Sequence, residues 1–220
     1  MTYSGPHFST FGCLTGIDYT IECFRKCLFE GEEEIPLIPS TLWSDDEWYL
    51  DQEKRKFIPN IGYAILHLRK VSGIIIGGNI DSFGVLQGTE FMPSLRDAVL
   101  FLEDNYPMTA DIFDRHIHSL ILQNDFQYVK GIVLGCFQID SKITVELLRK
   151  IISSKKELKN IPVIAEADFG HTLPIFTFPI GGEVEIEAKR SGAKMVLTKN
   201  NNIFPLKLSF FFKHLLTLKS

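Results

Sequence analysis

Two side chains suited to acid–base chemistry each follow a short apolar run. His171, flanked by Gly170 and Thr172, comes a few residues after the run at 161–165 (IPVIA), and Glu103 directly ends the run at 98–102 (AVLFL). Strands of α/β proteins that open into loops at their carboxyl ends are where such proteins place working side chains. A carboxylate and an imidazole at two strand ends would supply two of the three groups of a nucleophilic hydrolase. The acid holds the ring N–H, and the ring takes the proton from an attacking hydroxyl or thiol. The condition is that both strands run parallel, so that both side chains emerge at one edge. A surface acid and a loop histidine with local hydrogen bonds fit the same spacing, which does not choose between them.

The third group is harder to assign. No Gly-x-Ser-x-Gly turn occurs in the sequence, so the strained elbow of α/β-hydrolases is missing. Ser82 follows the Gly77-Gly78-Asn79 turn but sits in an apolar helical pattern, and Cys136 lies in a run whose Ile132, Val133, Leu134 and Phe137 mark it as a core thiol. His116 and His118 stand two apart on a helical pattern, point about 200° apart and cannot share an ion. No metal and no cofactor are expected. Gly77-Gly78-Asn79 could cradle an anion at a helix start, although a tight strand-to-helix turn accounts for the same glycines.

Composition narrows the function classes. With 45% apolar and 23% charged residues, the 220-residue chain can fill the core of one large domain. A net charge of -4, with basic residues scattered apart from 54–56 and 155–156, argues against nucleic acid as a partner. The opening MTYSGP lacks a basic and an apolar region, so no secretory signal is expected. Cys13, Cys23, Cys27 and Cys136 form no Cys-x-x-Cys pair and read as small core residues, consistent with a cytoplasmic location. No apolar run reaches the ~18 residues that cross a bilayer, and no membrane association is expected.

These candidates need elements to position them. Asp18 is expected to cap a helix over 18–29 with Ile21, Phe24, Cys27 and Leu28 on its apolar face. Residues 30–55, acidic and broken by Pro36 and Pro39, carry Trp43 and Trp48 and predict a long lid or binding loop. From Ser72 onward, buried runs at 73–76, 98–102, 131–137 and 161–165 alternate with helical patterns. These are a short one through 83–86, one capped by Thr109 with His116 on its inner side, and one at 143–153 capped by Ser141. Such alternation predicts an α/β domain with a mostly parallel sheet covered on both faces. Residues 183–188 alternate charge and apolar and, with 193–199, predict a C-terminal β-hairpin.

Four blocks carry a family resemblance: 73–93 (GIIIGGNIDSFGVLQGTEFMP), 98–104 (AVLFLED), 129–137 (VKGIVLGCF) and 161–182 (IPVIAEADFGHTLPIFTFPIGG). In this order they resemble the LD-carboxypeptidase family, cytoplasmic serine peptidases with a Ser–Glu–His triad. Residues 168–172 (DFGHT) and 39–49 (PSTLWSDDEWY) are more similar to the microcin C immunity branch than to the murein-recycling branch. The resemblance implies Glu103 as triad acid and His171 as base. It further implies substrate contacts at Trp43 or Trp48, whose indoles could stack on a purine, and at Asn79. Packing of both indoles as loop anchors remains the other reading.

In that family the nucleophilic serine stands in a Gly-aromatic-Ser-Asp turn of a separate N-terminal domain, which also supplies the oxyanion donors. That turn does not occur in these residues. Residues 3–6 (YSGP) resemble the family just after it, with Ser4 where the family has an aromatic residue. The expected division is an interdomain segment with the Trp-bearing loop at 1–60, a C-terminal-type domain at 61–199 and an atypical Phe-rich tail at 200–220. The expected substrate is a muropeptide with an LD-linked terminal residue or an aminoacyl-nucleotide. A separate N-terminal half and a homodimer are the expected partners. The alternative is a catalytically silent, truncated protein that acts as a binding or dimerisation module or is a non-functional remnant.

Overall fold

The computed structural model describes residues 2–199, so the Phe-rich tail lies outside the described residues. In chain order the first elements are β1 (Thr2–Ser4), α1 (Asp18–Arg25) with a π-helical turn at Lys26–Glu30, β2 (Ile35–Leu37), β3 (Leu42–Trp43), β4 (Ile58–Pro59) and β5 (Ala64–His67). There follow β6 (Arg69–Asn79), α2 (Ile80–Gly84), β7 (Ala98–Glu103), α3 (Ala110–Ile121), β8 (Gly131–Gly135) and α4 (Val145–Ser153). The last are β9 (Val163–Ala167), β10 (Phe178–Ile180), β11 (Glu183–Lys189) and β12 (Gly192–Lys199).

Eight strands form one sheet in the order β2-β12-β11-β6-β7-β8-β9-β5. Only its centre is parallel, at β6–β7, β7–β8 and β8–β9. The other four junctions are antiparallel, which corrects the expectation of a mostly parallel sheet. Short strands with few residues, β2 and β5, were too small to read from periodicity, and they cap the two edges. The predicted hairpin is β11–β12, and it lies against β6. Its burial alternates along β11, with Val184, Ile186 and Ala188 inside, as a sheet with one solvated face requires.

All six residues of β7 are buried, because α2–α4 cover one face of the sheet and the 169–178 segment, with α1 and its π-helical turn, covers the other. Side chains alternate across a strand, so Ala98, Leu100 and Leu102 join the core under α2–α4, together with Phe113, Ile117, Leu120 and Leu148. Val99 and Phe101 face the opposite core, which holds Phe169, Phe176 and Phe178. Glu103 has the parity of Phe101 and emerges on that second face. The four phenylalanine rings there lie with centroids 4.9–6.5 Å apart. Each fully buried ring contributes roughly 1.5–3 kcal/mol by area alone. They root the segment between β9 and β10 on the sheet.

Several local expectations change. Ile17 rather than Asp18 is the N-cap of α1, and the helix buries Thr20 and Cys27 while Ile21 is 37% exposed. Positions 20 and 27 share a face that the apolar pattern, drawn to Ile21 and Phe24, did not mark. Thr144 caps α4 by accepting from the Leu147 amide at 3.3 Å, whereas Ser141 closes the preceding turn. Strand β8 stops at Gly135 and β9 extends to Ala167. Residues 30–55 are no uninterrupted loop, since β2 joins the sheet edge and β3 pairs with β4.

Strand β6 runs on through Gly77 and Gly78, with φ of 135° and 137°, straight into α2. A Cβ on Gly77 would meet the Phe101 carbonyl oxygen at 2.1 Å, while one on Gly78 would meet nothing within 4 Å. Both positions strain an L side chain, but only one also drives backbone from backbone. Gly77→Ala should therefore lose about 3 kcal/mol or more and Gly78→Ala about 1 kcal/mol, read by urea denaturation. Equal losses would show that the β6–β7 approach is not the constraint.

Candidate active site

Glu103 ends β7 and is 8% exposed. Its Oε2 accepts from Nδ1 of His171 at 2.7 Å. Two glycines make room for it. A Cβ on Gly170 would meet Glu103 Oε2 at 2.8 Å, and one on Gly135 would meet Glu103 Cβ at 2.8 Å. Gly170 also adopts φ 108°, which L side chains rarely take. The β7 and β9 ends share an edge because β7, β8 and β9 are parallel.

The path from β9 to His171 contains a parity slip. Val163 and Ala165 face the helix-side core, whereas Ile164 and Ala167 face the other. The extra residue is Glu166, at φ 60°, beside a register shift between β8 and β9. A bulge of this kind bends its strand and turns the next side chains in a new direction. Here it precedes Asp168 and the histidine loop. The Glu166 carboxyl is raised by burial, and Cys136 Sγ lies 3.6 Å from it. Burial likewise raises the Cys136 thiol, which keeps it an inert core thiol.

A carboxylate bound at Nδ1 leaves the neutral ring's Nε2 with its lone pair free to accept a proton. The His171 side chain is 45% exposed, so that nitrogen can be reached from solvent. The hydrogen bond to Glu103 lifts the imidazole above its ordinary value, partial burial opposes this, and the charges of Glu103 and Asp104 add to the rise. Asp104 itself is raised by burial. It accepts from the Asn105 amide at 2.7 Å and from Asn79 Nδ2 at 3.1 Å.

A cleft of about 420 Å3 opens over the pair, with His7, Ser9, Trp48, Tyr49 and Thr172 among its walls. Trp48 also packs on the small core of Cys13, Ile17 and Leu173, so it is both a loop anchor and a cleft wall. Its loop is held by Asp46, which accepts from Arg55 Nε at 2.9 Å and from the Lys56 amide at 2.7 Å. Trp43 lies elsewhere, in a depression of about 200 Å3 with Asn60, Cys136, Glu166 and Asp168. Asn79 pairs in register with Glu103, caps α2 by accepting from the Ser82 amide at 3.0 Å and is not among the residues lining the His171 cleft. His116 is partly buried, with Nε2 at 3.4 Å from Asp81. Among the described residues no group of three or more His, Cys, Asp or Glu is placed to hold a metal. No described helix is long and apolar enough to cross a membrane.

Ser40, Asn60 and Asp168 form a network to which no motif or spacing in the sequence assigns a role. The Asp168 carboxylate accepts from the Ser40 amide at 2.8 Å, Ser40 Oγ at 2.9 Å and Asn60 Nδ2 at 2.9 Å. Asp168 and Ser40 lie within the segments that carry the family resemblance, but Asn60 carries no sequence signal. It becomes visible only once the chain returns on itself.

The pair also sets a pH dependence. A histidine whose folded value exceeds its unfolded one contributes stability that is complete below the unfolded value and lost as pH rises through the folded value. The Glu103–His171 contribution is therefore full below about pH 6.5 and declines above it. Urea denaturation from about pH 6 upward should show this decline in the wild type and a flatter profile in Glu103→Gln. Identical profiles would remove the energetic link.

Comparison with known proteins places the chain. A family model described as the LD-carboxypeptidase C-terminal domain matches residues 72–186. A protein of Treponema pallidum (strain Nichols) that carries a provisional carboxypeptidase name is 49% identical over 86% of this chain and 55% of its own length. The crystal structure of an MccF-like protein from Bacillus anthracis str. Ames is 47% identical, with a TM-score of 0.88, over 90% of this chain and 61% of that one. MccF in complex with glutamyl sulfamoyl guanosine is 27% identical, with a TM-score of 0.73, over 89% of this chain and 60% of that one. The chain thus spans little more than half the length of the relatives it matches. With the carboxyl-terminal module matched from within β6 into β11, this chain belongs to the LD-carboxypeptidase family.

Proposed function

We propose that the chain is the acid–base half of a serine-type amide hydrolase. In this reading Glu103 orients His171, and Nε2 of His171 takes the proton from a serine as it attacks the scissile carbonyl. The same nitrogen returns the proton to the leaving amine, an acyl-enzyme forms, and water releases it by the reverse sequence. The observation that carries the reading is the 2.7 Å bond from His171 Nδ1 to a buried carboxylate. The serine and the oxyanion donors would come from a nucleophile-bearing half beyond these 220 residues, since the family's Gly-aromatic-Ser-Asp turn does not occur among them.

The substrate class is inferred from the cleft and from the relatives. Trp48 and Tyr49 offer aromatic walls beside His171, and a base can stack on such a ring. A structure of MccF holds it in complex with glutamyl sulfamoyl guanosine. We therefore favour an aminoacyl-nucleotide over an LD-linked muropeptide. Asn79 would act at the rim of the site through its position opposite Glu103 in the β6–β7 register.

A second reading is a silent association module. It is favoured by apolar side chains left open on the N-terminal elements, with Phe8 88% and Leu14 71% exposed. One experiment separates the two. The purified chain is incubated with an aminoacyl sulfamoyl adenosine and with an LD-tetrapeptide, alone and with a separately produced nucleophile-bearing half. Turnover only in the mixture, falling about 10³-fold or more on His171→Ala, is the expected result. Turnover that ignores His171→Ala, or none in any mixture, would sink the hydrolase reading.

A further inference from the structure

We propose that Asp168 is a positioning residue that locks the neck of the Trp-bearing excursion onto the histidine loop, so that the Trp48 wall and the Glu103–His171 pair form one rigid cleft. The inference rests on the reading above, in which both walls belong to one site.

The excursion leaves the body of the fold at Ser40 and returns at Asn60. Both ends bond the same carboxylate through three donors at 2.8–2.9 Å. They also bond each other, since Asn60 Nδ2 reaches Ser40 Oγ at 3.0 Å and the Asn60 amide reaches the Thr41 carbonyl at 2.9 Å. Closing a loop at its neck fixes the path of everything between, and Trp43 and Trp48 both lie between. On the other side, Asp168 stands three residues before His171, and its carbonyl accepts from the Phe176 amide at 2.7 Å, closing the loop that carries the histidine. A second tie runs in parallel. Ser44 and Leu173 exchange two backbone hydrogen bonds, at 2.7 and 2.8 Å. The imidazole is thus bracketed by two attachments to the excursion, one on either side of it in sequence.

The choice of a carboxylate at this place is informative. Asp168 is 3% exposed and Ser40 7% exposed. Among the described residues Asp168 makes no ion pair, and all three of its side-chain donors are neutral. Burying a carboxylate without a cation is expensive, and burial does push this carboxyl above its usual range. A loop that needed only to be packed could use an apolar residue or a backbone turn. A planar group accepting three bonds from two chain segments instead fixes their mutual register, which is the feature a two-walled cleft needs.

Hydrogen exchange on the purified chain tests this without any substrate, so it can fail independently of the hydrolase reading. Asn60→Ala removes one donor from the neck. Gln52→Ala, the control, cuts the excursion's bonds to the Leu14 amide and the Gly12 carbonyl and leaves Asp168 untouched. Asn60→Ala should speed exchange about tenfold or more both across 41–59 and across 170–175, with β7 and β8 unchanged. It should also move the His171 imidazole resonances. Gln52→Ala should loosen the excursion alone. If Asn60→Ala leaves 170–175 and the His171 signals as in wild type, or if Gln52→Ala moves them equally, Asp168 couples nothing. Ser40→Ala serves as a second variant with the same expected outcome should Asn60→Ala fold poorly.

Discussion

A carboxylate placed at the end of a fully covered strand has to find a donor or lose its charge, and in this fold the donor is an imidazole. Glu103 sits between the backbone at Gly135 and that at Gly170, each too close to carry a side chain. Water is largely excluded from this position, since the residue is 8% exposed. The His171 Nδ1–H is what satisfies Oε2. The remainder of the site is set by that demand. The ring must approach from the β9 side, its loop must bend at a left-handed glycine, and Nε2 is left facing outward.

The sheet delivers the two partners through its parallel centre. Parallel order among β7, β8 and β9 brings the ends of β7 and β9 to one edge, while the antiparallel strands on either flank only cover and close the sheet. The bulge at Glu166 moves the chain onto the second face, where Phe169, Phe176 and Phe178 anchor it beside Phe101. Aromatic packing below and the Asp168 network above hold the histidine loop from two directions. A loop fixed in this way can keep an acid–base pair aligned before any ligand arrives.

Much of this was legible in the residues. The unbroken apolar run before Glu103 marked a strand buried on both faces, and β7 is buried at all six positions. The spacing of Glu103 and His171 allowed a carboxylate–imidazole pair without requiring it, the fold brings the two side chains to 2.7 Å, and the roles of acid and base are implied only by the resemblance to the LD-carboxypeptidase family. Other features were illegible for physical reasons. A two- or three-residue edge strand such as β2 has too few positions to show a period. The burial of Thr20 in place of Ile21 is decided by what α1 packs against, since its Oγ1 accepts from the Ile175 amide at 2.9 Å. The bulge at Glu166 has no compositional mark, because a left-handed glutamate is imposed by neighbouring register. Asn60 and Asp168, far apart in sequence, meet only after folding.

One orientation underlies the site: Glu103 holds His171 with its proton on Nδ1. The most direct measurement is the 15N shift of both imidazole nitrogens of His171, recorded by long-range 1H–15N correlation at a pH where the ring is neutral. A protonated Nδ1 and an unprotonated Nε2 are expected for this histidine. A ring carrying its proton on Nε2, or averaging freely between the two forms, would contradict it.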